Sequence, residues 1–259
     1  MMRRIQDLDS LVPVERHGTV ESTQSLARRA VEDGSLGEQA RLFCCEEQSG
    51  GIGRFGRRWH SPRGGLWCTL AWPVNLDIER VRAGLGLRVG LGVIRALEHV
   101  LGAHGHGERV MFKWPNDILL GGKKIAGSLC ELLERDGKWY ALVGIGVNVN
   151  FPVSDLPEDV AALSTTLADE IDREANMSRL LDDIRARVVD ALMTEGLPEK
   201  TLALLRLHLH GVGKHQTITM PDGTTRSGEL IGLDDDGGLR LRAEGSEFVA
   251  PAGAEVMAG

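Results

Sequence analysis

Apolar residues recur at helical spacing from Ser22, where Leu26, Ala27, Ala30 and Val31 share a face and the pattern stops near Gly34. Ser22 and Thr23 are good capping residues for that start. Residues 41–47 and 66–74 read as apolar strands, separated by a Gly/Arg-rich stretch. Residues 79–101 predict one long apolar helix despite Gly84, Gly86, Gly90 and Gly92, with Gly86 and Gly90 spaced to admit a close neighbour. A meander comes next, with strands at 110–114, 118–120, 124–132 and 139–151, turned by Gly121-Gly122 and by Arg135-Asp136-Gly137. Links that short force antiparallel neighbours, because a parallel crossover needs about a dozen residues. Further helices are predicted over 158–172, from Ser178 (Leu180, Leu181, Ile184, Val188, Leu192) and after Pro198. From Gly211, five short strands in under fifty residues predict a small barrel. The expected division is a large domain over 1–210 and a small one over 211–259.

Composition narrows the classes. The 259 residues carry 30 basic and 37 acidic side chains, a net charge of −7, and the small barrel alone carries four basic residues against eight acids. A basic nucleic-acid face is therefore not expected. No run approaches the ~18 apolar residues of a membrane span, and Met1-Met2-Arg3-Arg4 leads into Asp7 and Asp9, so the expected location is the cytoplasm. Cys44, Cys45, Cys68 and Cys130 have no metal or redox spacing and read as small apolar residues in a reducing compartment. His104/His106 and His208/His210 are paired at i, i+2, but neither pair has a third ligand beside it.

The loop Gly51-Ile52-Gly53-Arg54-Phe55-Gly56 matches the dinucleotide pattern G-x-G-x-x-G, yet residues 57–65 are too few and too broken for the helix that pattern requires. Its glycines read instead as a flexible loop made cationic by Arg54, Arg57 and Arg58, suited to carboxylate or phosphate. On the strand from Leu142, alternation puts Val143, Ile145, Val147, Val149 and Phe151 on one face, and Leu142, Gly144, Gly146, Asn148 and Asn150 on the other. Two bare positions beside two amides leave room for a packed helix or, with the amides, a polar ligand. Lys113-Trp114-Pro115-Asn116-Asp117 is turn chemistry at a strand end, and Lys124 opens the next arm ahead of the small Ala126-Gly127 pair.

In chain order, Ser22-Thr23-Gln24, the stretch Gln48 to Trp59, Lys113 to Asp117, Lys124-Ile125-Ala126-Gly127 and Gly144 to Asn150 together resemble the biotin protein ligase family over essentially the whole chain. The resemblance implies an α/β (α+β) fold with a mixed, largely antiparallel sheet flanked by helices (a class II synthetase-like ligase core), and a C-terminal SH3-like β-barrel. It implies an enzyme that makes biotinyl-5′-AMP from biotin and ATP with Mg²⁺, then transfers biotin to a lysine of a biotin carboxyl carrier protein. Arg54, Arg57, Lys113, Asp117 and Lys124 would be catalytic, and Asp117 would also face the metal or the incoming ammonium. Ser22, Thr23, Gln24, Gln48, Gly51, Ile52, Gly53, Arg54, Trp59, Lys124 and Gly127 would hold biotin. Arg54, Arg57, Asn116, Lys124 and Asn148 would meet the nucleotide. Ile52 and Gln24 depart from the family pattern, which has Arg and Asn there, and the chain resembles the short class without a DNA-binding segment. No DNA or membrane partner is implied, and a homodimer is left open. The rival readings are a lipoyl/octanoyl ligase-like enzyme and a non-catalytic biotin sensor on the same fold.

Overall fold

The computed structural model describes residues 5–103, 105 and 110–257, so His104 and His106 lie outside the described residues. In chain order the elements are α1 (Ile5–Leu11), β1 (Val14–Val20), α2 (Thr23–Glu32), β2 (Arg41–Gln48), β3 (Leu66–Val74), α3 (Ile78–Arg82), α4 (Leu85–Ala103), β4 (Val110–Lys113), β5 (Asp117–Leu120), β6 (Lys123–Arg135) and β7 (Lys138–Val147). Then come α5 (Glu158–Ala161), α6 (Leu167–Ile171), α7 (Met177–Leu192), α8 (Glu199–His208), β8 (His215–Thr219), β9 (Thr225–Leu233), β10 (Leu239–Ala243), β11 (Ser246–Ala250) and β12 (Glu255–Val256).

The first seven strands form one mixed sheet in the order β1-β2-β3-β7-β6-β5-β4. Only β1 and β2 run parallel; every other neighbour is antiparallel, which the two tight turns require of β5–β6 and β6–β7. Both turns use left-handed residues, Gly121 and Gly122 in one, Asp136 and Gly137 in the other, which suits the twist of the flanking strands. One face of the sheet packs on α4 and α7 to form the main core, with Val143, Ile145 and Val147 all buried there. The other face receives α2, whose Ala27, Ala30 and Val31 pack on Phe43, Ala71 and Leu142. Ser22 caps α2, its hydroxyl accepting from the Gln24 N–H.

Several expectations are corrected. The long helix over 79–101 is two, because Gly84 takes φ +70°, a left-handed conformation that ends α3. A Cβ on Gly90 would meet the Phe112 ring at 2.8 Å, while one on Gly86 meets nothing, so only the second glycine of that pair serves close packing. The helix predicted over 158–172 is the separate α5 and α6, since the segment between them pairs with Lys124. The strand at 139–151 stops at Val147: the Asn148 N–H bonds Ile125 O while its carbonyl accepts from Leu167. Phe151 consequently leaves the core face and joins Cys45, Trp67 and Leu156 on the opposite one.

The C-terminal strands form a five-stranded sheet, order β11-β10-β9-β8-β12, and its two edges do not meet among the described residues. It is an open sheet, not the closed barrel expected. Its apolar side, including Ile218, Leu230, Leu241 and Phe248, is continuous with the main core. Polar-rich β1, α1 and the two-residue β12 carry no periodic signal that would predict them.

Candidate active site

A cavity of about 420 Å³ opens where β3, β6 and β7 meet the N-terminus of α2, the Gly/Arg loop and β12. It collects Ser22, Thr23, Gln24, Gln48, Ile52, Gly53, Arg54, Arg57, Trp59, Lys113, Asn116, Asp117, Lys124 and Gly127, residues scattered over a hundred positions of sequence. Two predicted members stand apart. Gly51 lies behind the wall, where a Cβ would crowd Ser61 Oγ at 2.9 Å, so glycine there lets the loop close on itself. Asn148 is buried away from the cavity and donates from Nδ2 to the Thr165 carbonyl at 3.0 Å, anchoring the 165–168 segment.

The inner wall is a hydrogen-bonded set. Gln48 Oε1 accepts from the Thr23 N–H at 2.8 Å, and Gln48 Nε2 donates to Ser61 Oγ at 2.7 Å. Thr69, fully buried on β3, reaches both Thr23 Oγ1 at 2.9 Å and Gln24 Oε1 at 3.1 Å. Sequence reasoning missed Thr69, although it is the one hydrophilic residue in the buried run 66–71 and so was open to detection.

The bare strand positions meet protein groups. A Cβ on Gly144 would lie 2.6 Å from Gln24 Oε1, and one on Gly146 would lie 2.6 Å from the Trp59 indole, which also crowds Gly127. The glycines therefore let one amide and one flat ring settle on the sheet, and those groups in turn line the cavity. The close-packing alternative holds for the N-terminus of α2, but the two amides expected to face a ligand beside the glycines do not line the cavity: Asn148 donates to the Thr165 carbonyl, and Asn150 exchanges hydrogen bonds with the Ala175 backbone. Trp59 Nε1 is buried with no acceptor in the described structure.

The outer wall is cationic. Lys124 Nζ sits 2.7 Å from Asp117 Oδ1 and 4.8 Å from the centroid of the Trp59 ring. Arg54 donates to Asn116 Oδ1 and to the Ala254 carbonyl, both at 3.3 Å, and Arg57 pairs with Glu255. Phe55, at φ +58°, stacks on both guanidinium groups, 4.8 Å from Arg54 and 5.6 Å from Arg57. Burial presses the Arg54 guanidinium below its usual pKa, an effect that the Asp117 carboxylate opposes and Arg57 reinforces. The loop is thus held by Ala254, just before β12, and by Glu255 on it, contacts that no sequence pattern signalled. Asp117 is committed to Lys124, and no cluster of three metal-ligating side chains exists among the described residues, so a resident metal does not fit here.

Residues 21–150 match the biotin/lipoate A/B protein ligase family model. The chain is 34% identical over 223 residues to the biotin–[acetyl-CoA-carboxylase] ligase of Paracoccus denitrificans, covering 82% of this chain and 88% of that protein. The chain belongs to this ligase family. Another relative of this family member is the bifunctional ligase/repressor BirA of Bacillus subtilis (strain 168), 30% identical over 247 residues, 93% of this chain and 73% of that protein. Among solved structures, the biotin protein ligase of Aquifex aeolicus in complex with biotin and ATP superposes with a TM-score of 0.77 at 25% identity, covering 95% of this chain and 99% of that one. Ile52, where the resemblance expects Arg, has a side chain about half exposed, and its backbone bridges Arg58.

Proposed function

We propose that the protein is an ATP-dependent biotin ligase, which forms biotinyl-5′-AMP and transfers biotin to a lysine of a biotin carboxyl carrier protein. The observation that carries this reading is the convergence of Arg54, Arg57, Lys113 and Lys124 on a single cavity with a neutral hydrogen-bonding inner wall. Relatives named as biotin–[acetyl-CoA-carboxylase] ligases support it.

In the first step a biotin carboxylate oxygen bonds the α-phosphorus of ATP, and the bond to the β-phosphate oxygen breaks to release pyrophosphate. Two anions must approach, so the barrier is largely electrostatic, and fixed cations lower it. Arg54 and Arg57, held by Asn116, Ala254 and Glu255, would face phosphate oxygens, and Lys124, 4.8 Å from the centroid of the Trp59 ring, would meet the carboxylate. Asp117 orients Lys124. Mg²⁺ enters as part of the nucleotide substrate. In the second step the neutral lysine amine bonds the acyl carbon, the acyl C–O bond to the phosphate breaks so that AMP leaves with the electron pair, and the surplus amine proton passes to water; covering the anhydride with the loop keeps water from competing as nucleophile.

The four free thiols agree with a reducing cytoplasm, and no helix of the described residues is long and apolar enough to cross a membrane. Residues 1–210 would carry the chemistry, with 211–259 supplying the strand that holds the loop. Biotin-dependent exchange of pyrophosphate into ATP tests the reading. Exchange with biotin is expected; no exchange would leave a sensor, and exchange only with lipoate or octanoate would make it the other ligase type.

A further inference from the structure

We propose that Glu131, a residue outside the cavity, sets the hydrogen-bond polarity of the cavity's inner end and thereby selects a ligand edge bearing an N–H. This deepens the biotin reading and rests on it. Glu131 lies on β6 beyond the cavity-lining residues, yet its carboxylate joins two partners: Arg28 Nη2 lies 3.1 Å from Oε1, and Gln24 Nε2 donates to Oε2 at 2.6 Å. Gln24 rests on bare Gly144, where any Cβ would lie 2.6 Å from its carboxamide oxygen. From there the contacts run inward through Thr69 to Thr23 and Gln48.

Counting protons fixes their directions. An ionised carboxylate only accepts, so Gln24 must turn its NH₂ to Glu131 and its oxygen to Thr69. Thr69 has one hydroxyl proton, and it goes to Gln24 Oε1 at 3.1 Å. The Thr23 and Thr69 oxygens are 2.9 Å apart, so the proton between them must come from Thr23. That proton is then lost to Gln48 Oε1, the alternative acceptor at 3.2 Å. Gln48 Oε1 keeps only the Thr23 backbone N–H, and its second lone pair remains open to a donor in the cavity. On the same cavity lining the Ser22 hydroxyl accepts from Gln24 N, leaving its own proton for a ligand oxygen. An acceptor next to a donor matches the N–H and C=O of a cyclic urea.

Glu131→Gln reverses the set. Arg28 claims the new carbonyl oxygen, the new NH₂ faces Gln24, and Gln24 turns over. Thr69 then accepts from Gln24 and points its proton at Thr23, and Thr23 gives its own to Gln48. The open acceptor is filled without any change in packing volume. Thr69→Val reaches the same end by a different route, since Thr23 is left with Gln48 as its sole acceptor.

The test compares pyrophosphate exchange driven by biotin with exchange driven by cyclic carbamate analogues in which either ring N–H is replaced by oxygen. The wild-type protein should favour biotin over one of the two by about ten-fold in kcat/KM, the size of one hydrogen bond to a buried group. In Glu131→Gln and in Thr69→Val that preference should fall below about two-fold, through KM for biotin with kcat nearly unchanged. A merely structural role would lower biotin and the two analogues together. Variants that keep the wild-type ratio overturn the proposal, and Thr69→Val decides it if Glu131→Gln does not fold. A wild-type protein that activates none of the acids overturns the biotin reading itself, so the two failures are distinguishable.

Discussion

At the scale of single residues, the site depends on what is missing at a few positions as much as on what is present. Gly146→Ala would place a methyl 2.6 Å from the Trp59 indole. Such overpacking costs about 1–3 kcal/mol, so the melting temperature should fall by a few degrees and, because the displaced ring lines the cavity, the KM for biotin should rise as well, read by thermal melts and steady-state exchange. Arg54 joins the loop to Asn116 and to Ala254. Arg54→Gly should loosen retention of the adenylate, seen by mass spectrometry as biotin spreading to lysines of bystander proteins; unchanged retention would remove Arg54 from that role. The sequence disclosed these residues because glycines and cations in a strand-and-loop context have few structural uses. It did not disclose Glu131 or Glu255, since an acidic residue on a half-buried strand or near a terminus is ordinary until its partner is known.

At the scale of elements, periodicity located most helices and all the antiparallel strands of the meander, because apolar spacing and two-residue turns are local signals. It failed where a backbone event intervened. Gly84 splits α3 from α4, and the break is held by Arg88, which donates to the carbonyls of Val81, Ala83, Ala191 and Gly196. Burial lowers the Arg88 pKa to about 10, leaving it charged at neutral pH and satisfied by those oxygens. Arg88→Met should strand several buried acceptors and cost about 3 kcal/mol or more, measured as a lower urea midpoint with little change in KM. The strand end at Val147 was equally invisible, since alternation continues through Phe151 while the Asn148 carbonyl turns to Leu167 at the start of α6 and Asn150 bonds Gly64 and Ala175.

At the scale of the whole molecule, two sheets share one core, and the last strand of the smaller one reaches back to the loop of the larger. Closure of the small sheet was not legible because strand count alone does not specify whether edges meet. The thiols give a global prediction. Burial pushes Cys45 and Cys130 up to about 12, above the ordinary 9.0, so the folded state keeps them protonated while the unfolded chain ionises. Their contribution is intact below about pH 9 and is lost as pH rises towards 12. The melting temperature should therefore fall across that window, and less steeply in a Cys45→Ala/Cys130→Ala variant; equal slopes would contradict it.

The central claim is that an arginine loop, tied down by the C-terminal edge, covers biotin and ATP above a glycine-backed wall. A crystal structure of the protein grown with both substrates tests it most directly. Biotinyl-5′-AMP should lie between Trp59 and the Thr23–Gln48 wall, with Lys124 beside the new anhydride and Arg54 and Arg57 turned to the phosphate. Density for either substrate elsewhere, with this cavity unchanged, would contradict the account.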